Sequence, residues 1–199
     1  MSFSDVPAGK IAAVVTSLEM FQRPAPRPER DDVAFALQRL PRPELARFRK
    51  LYRSVGENWI WFSRLTMADA ELAAIIHDPL VEVYVLKSGA YEAGLLELDF
   101  RTPHECELSF FGLTPPFVGT GAGRWLMNRA IELTWSRPIK RLWVHTCTFD
   151  HPAALAFYVR SGFRPFRLQI ELAGDPRLTG VLPRNSAPHV PLIEPTRRP

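Results

Sequence analysis

Cysteine is nearly absent from this 199-residue chain. Two thiols, Cys106 and Cys147, are too few for a disulfide framework, and free thiols in a reducing cytoplasm are the expectation. No apolar run approaches the ~20 residues that a membrane helix needs. The opening MSFSDVPAGK lacks a cationic region followed by an apolar stretch, so no secretory signal is expected. Internal repeats are missing. Positive charge is not concentrated: the net +4 comes from scattered arginines, and Arg124, Arg129 and Arg137 are too few for a nucleic-acid stripe. His145, Cys147 and His151 lack a fourth ligand at a recognisable spacing, so no metal site is expected. Membrane, disulfide-rich and nucleic-acid-binding classes are thereby set aside.

Proline, by contrast, is abundant and unevenly placed. Of 19 prolines, five lie in Pro24–Pro43 and six in Pro176–Pro199, which leaves the middle of the chain close to average. With 46% hydrophobic and 23% charged residues, that middle has globular composition and the length for one domain. The expected organisation is an N-terminal segment 1–10, a domain 11–172 and a proline-rich extension 173–199. The extension reads as either an extended strap or a disordered tail.

Periodicity predicts strands at Ile11–Met20, Val81–Lys87, Gly94–Phe100, Glu105–Thr114, Arg141–Thr146 and Phe163–Leu172. Helices are predicted at Pro43–Val55, Ala68–His77, Gly121–Ser136 and Pro152–Ser161, and FQRPAPRPER reads as an irregular connection. The order β-α-α-β-β-β-α-β-α-β implies an α/β fold with a mixed sheet, antiparallel first and joined by helical crossovers later.

If Thr102–His104 is a hairpin turn, Leu98 faces Leu108, Phe100 faces Cys106 and Leu96 faces Phe110. The opposite face then gathers Glu97, Asp99, Glu107 and Ser109. Clustered carboxylates raise one another's pKa and attract a cationic amine. The plain alternative is a solvated face on which Arg101 pairs with Glu105.

The strongest chemical signal is Gly119-Thr120-Gly121-Ala122-Gly123, between a strand and a helix. Glycines let backbone approach a ligand, and a helix start leaves N–H groups unpaired, which suits a phosphate or pyrophosphate. Arg124 adds a charged donor. The loop lacks the Lys-Ser/Thr of a P-loop and the glycine spacing of a dinucleotide fingerprint.

The sequence resembles the GNAT superfamily of N-acetyltransferases. The family pattern Gln/Arg-x-x-Gly-x-Gly/Ala falls on Val118–Gly123, with Val118 in place of Gln or Arg. The pattern Asn-x-x-Ala-x-x-x-Tyr followed by Gly-Phe falls on His151, Ala154, Tyr158 and Gly162-Phe163, with His151 in place of Asn. The resemblance covers about Ile11 to Leu172. It implies the GNAT acyl-CoA N-acyltransferase fold, a central six- to seven-stranded mixed sheet flanked by about four helices. It further implies acetyl-CoA as co-substrate, transfer of its acetyl group to a primary amine, and a possible homodimer.

By this resemblance Val118, Gly119, Thr120, Gly121, Ala122, Gly123 and Arg124 hold the pyrophosphate. Phe111 and Leu113, with His151 and Ala154, line the acyl and pantetheine arm, between splayed strands at Gly112. Tyr158 is the acid that protonates the departing thiolate. Glu107, eleven positions before Val118, is the base, directly or through a water. Glu97, Asp99, Trp59 and Trp61 are candidate substrate contacts, although aromatic residues as dense as NWIWF also fit a core. Two other readings compete: a catalytically silent acyl-CoA-binding module, motivated by Val118 and His151, and a nucleotide-binding domain.

Overall fold

The structure, a computed structural model, describes residues 3–30 and 34–195. Among the described residues seven strands form one sheet: β1 (Lys10–Met20), β2 (Ala36–Arg39), β3 (Val81–Ser88), β4 (Tyr91–Asp99), β5 (Glu105–Leu113), β6 (Arg141–Cys147) and β7 (Arg164–Gly174). Their spatial order is β2-β3-β4-β5-β6-β1-β7. Every pairing is antiparallel except β5 with β6, so the sheet is mixed, as expected. Five α-helices among the described residues flank it: α1 (Leu45–Gly56), α2 (Ser63–Thr66), α3 (Asp69–Ile76), α4 (Ala122–Trp135) and α5 (Ala154–Arg160). β2 and α2 have four residues each, too short to leave a periodic signal, and neither is among the elements that periodicity predicts.

Two apolar layers sandwich the sheet. On one side, Phe48, Leu51, Tyr52 and Val55 of α1 and Leu72 and Ile76 of α3 bury against Val81, Val83, Val85 and Leu95. On the other, Leu126 and Ala130 of α4 meet Leu96, Leu98, Phe100, Cys106 and Leu108. Each large side chain so buried contributes about 1.5–3 kcal/mol. The strand alternation that serves both layers is what fixes the register.

That register departs from the simple hairpin in one place. Leu98 does pair with Leu108, and Asp99 pairs with Glu107. Beyond them Ser109 is an extra residue, a β-bulge, so Glu97 pairs with Phe110 and Leu96 with Phe111. The bulge decides which core each aromatic enters, since adjacent strand residues point to opposite faces in any case. Phe110 turns toward Tyr52 (ring centroids 4.9 Å) and Trp61 (5.2 Å), while Phe111 stacks on Phe157 of α5 (5.7 Å). The expected pairing of Leu96 with Phe110 is therefore corrected. Likewise Arg101 bonds Asp99, and Glu105 instead meets Arg141 at 3.2 Å.

The described parts of both proline-rich segments are folded onto the domain. Residues 27–29 lie along α4: the Arg27 N–H donates to Asn128 Oδ1 at 3.1 Å, Asn128 Nδ2 returns a bond to the Arg27 carbonyl at 2.8 Å, and Arg129 pairs with Glu29 at 2.7 Å. After β7 the chain forms a strap rather than a loose tail, as far as residue 195. Arg177, 3% exposed, binds Asp175 bidentately and donates to the Val190 carbonyl at 2.8 Å, closing a tight loop. Leu182, Ala187 and Val190 then cover Ile11 and Ile60. The last four positions of the proline-rich extension lie outside the described residues.

Candidate active site

β5 and β6 are paired over only three positions, Glu105 with Arg141, Cys106 with Leu142 and Glu107 with Trp143. Past Glu107 they are no longer partners, and a cleft of about 910 Å³ opens between them. Residues 107–113 of β5 line one wall, and Val144, His145 and Cys147 of β6 line the other. Beyond Glu107, the side of β5 that faced β6 carries backbone groups with no strand partner. Gly112 sits on this wall for a different reason from the one expected. A Cβ there would come within 2.4 Å of Val55 Cγ1, so its bareness lets α1 and Trp61 approach.

At the far end of β5 the glycine loop turns into α4. Gly119 (φ 80°) and Gly121 (φ 98°) both occupy the left-handed region that favours glycine, and Gly121 is the N-cap residue of α4. Gly123 has ordinary backbone, and a Cβ there would meet nothing closer than 3.6 Å. Val118, Gly119, Gly121, Gly123 and Arg124 line the cleft. Thr120 and Ala122 do not: the Thr120 hydroxyl closes the turn onto the Phe117 carbonyl at 2.8 Å, and Ala122 is fully buried in the core.

The first proline-rich segment brings a residue that sequence reasoning missed. Arg27 lines the cleft together with Arg124 and Arg160, and burial, then the charges of those two arginines, lower its pKa. One buried nitrogen of the Arg27 guanidinium has no hydrogen-bond partner. Three cations beside a helix N-terminus make a local positive field that a polyanion would relieve. Nothing in FQRPAPRPER signals this, because the placement depends on Asn128, far along the chain.

On the opposite wall, Tyr158 of α5 lines the cleft while only 7% exposed. Burial first, and the nearby Asp150 carboxylate second, push its pKa far above the usual tyrosine range, so it stays protonated. Asp150 is held rigidly by the Thr146 hydroxyl (2.7 Å), the Cys147 N–H (2.9 Å) and the Trp61 indole N–H (3.1 Å). It too escaped the sequence reading. His151 and Ala154 line the same wall. The His151 ring accepts the Ala153 N–H at 3.0 Å, a turn-closing bond that an Asn side chain also makes, which accounts for His at this position.

Glu107 stands where the strands part, with a carboxylate oxygen 3.6 Å from His145 Nδ1 across the cleft. The Glu107 carboxylate, with Asp150 and Glu171 adding, raises the His145 pKa against the opposing effect of burial. Asp99 lines the cleft but is engaged by Arg101: burial alone would raise its pKa, and the Arg101 bonds outweigh that and lower it. Glu97 does not reach the cleft. It is fully buried and bonded to Arg64 at 2.6 Å, which corrects its expected role as a substrate contact. Trp59 and Trp61 both line the cavity. Trp59 lies against His151 (5.2 Å) and His189 of the C-terminal strap (5.6 Å), and Trp61 packs on Tyr52 and Phe110.

Residues 48–163 match the family described as acetyltransferase (GNAT) family. No curated protein sequence matches the chain. Solved structures share its fold. A functionally unknown conserved protein from Staphylococcus epidermidis ATCC 12228 is 14% identical, with a TM-score of 0.55 over 84% of this chain and 64% of that one. An IAA acetyltransferase from Bacillus cereus ATCC 14579 is 22% identical, with a TM-score of 0.53 over 67% and 79%. An acetyltransferase from Thermus thermophilus is 17% identical, with a TM-score of 0.53 over 71% and 97%.

Proposed function

The chain belongs to the GNAT acetyltransferase family, and we propose that it transfers an acetyl group from acetyl-CoA to a primary amine by direct attack. The observation that carries this reading is the three-pair junction of β5 and β6 opening into a cleft lined by Glu107, Tyr158 and the glycine loop. Acetyl-CoA supplies the activated acyl carbon and a thiolate leaving group. The residues present fit it. The N–H groups at the start of α4, with Arg27, Arg124 and Arg160, suit its phosphates, and the unpaired edge of β5 suits an amide-bearing arm.

An alkyl ammonium has a pKa of about 10, so the acceptor must lose a proton before it attacks. Glu107 takes that proton, directly or through a water. A backbone N–H on the open edge of β5 donates to the carbonyl oxygen as negative charge develops there. Tyr158, kept neutral by its surroundings, donates its proton to the departing sulfur. Glu107 and Asp150 give the cleft the negative charge that draws a cationic acceptor, and Trp59 and Trp61 shape its wall. The acceptor is a small-molecule amine or a protein amine.

Calorimetric titration tests the reading. Acetyl-CoA and CoA are expected to bind at micromolar concentration and ATP is not, with thiol release in an amine screen. Gly121→Val should abolish CoA binding, because a β-branched side chain at φ 98° distorts the turn. An absence of CoA binding by the unmodified protein would overturn the proposal.

A further inference from the structure

We propose that the acceptor is a small zwitterion, an amine joined to a carboxylate, and that Arg167 selects it by holding the carboxylate end. This rests on the acetyl transfer proposed above. The cleft does not end at Glu107. A second cavity of about 630 Å³ continues from it across β6, β1 and β7, and Glu107, His145 and Glu171 line both. An amine that reaches Glu107 therefore has a floor beside it that receives the rest of the acceptor.

The floor is a cross-strand row. Ser17 of β1 pairs with His145 of β6 on one side and with Arg167 of β7 on the other, so the three side chains share one face. Ser17 is small and 5% exposed, which makes the row a hollow with an imidazole on one rim and a guanidinium on the other. A bulge shapes the β7 rim. The register shift between Ser17 and Leu18 leaves Phe166 without a partner on β1, and Phe166 and Arg167 both line the cavity. Trp143 and Phe166 supply apolar surface for a short alkyl chain.

Charge is ordered along this floor. Glu171 lines both cavities and Glu107 stands at their junction, so the cleft end is acidic. Farther out, Arg141 is already neutralised by Glu19 at 2.8 Å and Glu105 at 3.2 Å. Arg167 is exposed and has no hydrogen-bond or ion-pair partner among the described residues. An amine drawn to Glu107 and Glu171 and an anion drawn to Arg167 are complementary to the two ends of one molecule. With neighbouring strands about 4.8 Å apart, an anion above Ser17 lies roughly 5–10 Å from the Glu107 carboxylate. A guanidinium matches a carboxylate bidentately, whereas a dianionic phosphate would meet the carboxylates of Glu105, Glu107 and Glu171 on the same walls.

Thiol release from acetyl-CoA with amines of matched length tests this. The probes are ε-aminocaproate, which spans that gap when extended, hexylamine, which lacks the carboxylate, and hexamethylenediamine, which puts a cation in its place. The unmodified protein should favour ε-aminocaproate over both in kcat/KM, by about tenfold. Arg167→Ala should erase that preference and Arg167→Glu should reverse it toward the diamine, with far-UV circular dichroism unchanged at so exposed a position. No preference for ε-aminocaproate, or one that survives Arg167→Glu, overturns the inference and leaves acetyl transfer standing. Calorimetric binding of ε-aminocaproate, with and without CoA, decides the case in which none of the three amines is acetylated. Binding that Arg167→Glu abolishes upholds the carboxylate site, and no binding overturns it, while the CoA titration judges the transfer reading separately.

Discussion

Two carboxylates on neighbouring strands, Glu97 and Glu107, face the same side of the sheet and have opposite fates. Glu97 lies under α1 and α2, fully buried, with Arg64 2.6 Å away and the Arg64 guanidinium over the Phe110 ring. Glu107 lies at the mouth of the cleft, with only His145 within ion-pairing distance among the described residues. The same contrast extends to the cations. Arg177 is sealed against Asp175 and four backbone carbonyls, whereas Arg27, Arg124 and Arg160 crowd together on the cleft wall. Charge under the helices is neutralised within the chain. On the cleft Asp99 is still paired with Arg101, but the charges of Arg27, Arg124 and Arg160 are left for something else to neutralise, and that distinction separates structural from functional ionic groups more sharply than residue type does.

The largest effect should come from opening the sealed pair. Glu97→Gln leaves a buried guanidinium that cannot shed its proton, at a cost of about 3–5 kcal/mol in chemical denaturation. Arg64→Met should cost less, because Glu97 can neutralise itself: burial raises its pKa, with Asp99 and Glu107 adding, against the pull of Arg64. Its folded pKa being the higher, the Arg64→Met protein should lose stability as pH rises from the ordinary carboxylate range toward neutrality. Equal costs for the two variants would break the comparison.

On the open side the effects should fall on rate instead. Tyr158→Phe and Glu107→Gln should each lower kcat about a hundredfold, with CoA affinity and melting temperature nearly unchanged. A Glu107→Gln protein that unfolds like Glu97→Gln would show that both carboxylates are structural. Smaller again, Arg27→Ala should weaken CoA binding about tenfold and flatten its salt dependence, since its backbone bonds to Asn128 survive the change. Unaltered affinity would remove Arg27 from the phosphate site.

These distinctions were only partly legible in the sequence. The six long strands and four longer helices follow from apolar period, because each presents one face to one core. The glycine loop and the spacing to Tyr158 are local patterns and survive as such. Long-range placements leave no such trace. Ser109 reads as one more residue of an alternating strand, yet as a bulge it sends Phe110 to the α1 layer and Phe111 to the α4 layer. Arg27 and Asp150 acquire their positions from Asn128 and Trp61, remote partners that no spacing rule connects. Glu97 and Glu107 look alike for the same reason: the alternation that puts them on one face says nothing of which one α2 will cover.

The smallest effect tests the weakest link of the comparison, the pairing of Glu107 with His145. The Glu107 carboxylate raises the His145 pKa, with Asp150 and Glu171 adding to it and burial opposing. A raised folded pKa means stability that is fully present below the ordinary imidazole value of about 6.5 and lost as pH climbs through the folded value. His145 is about half exposed, so the contribution should stay below about 1 kcal/mol. Melting curves should therefore show His145→Gln destabilised at about pH 6 and indistinguishable from the unmodified protein at about pH 9. The rate profile should move the other way. While His145 is cationic it holds the Glu107 carboxylate, and as it loses its proton that base is released to the acceptor, so activity should rise through an inflection above the usual imidazole range. In His145→Gln that inflection should be gone, with the alkaline rate largely kept. An inflection that survives the substitution would assign the titration to another group and leave Glu107 acting without its neighbour.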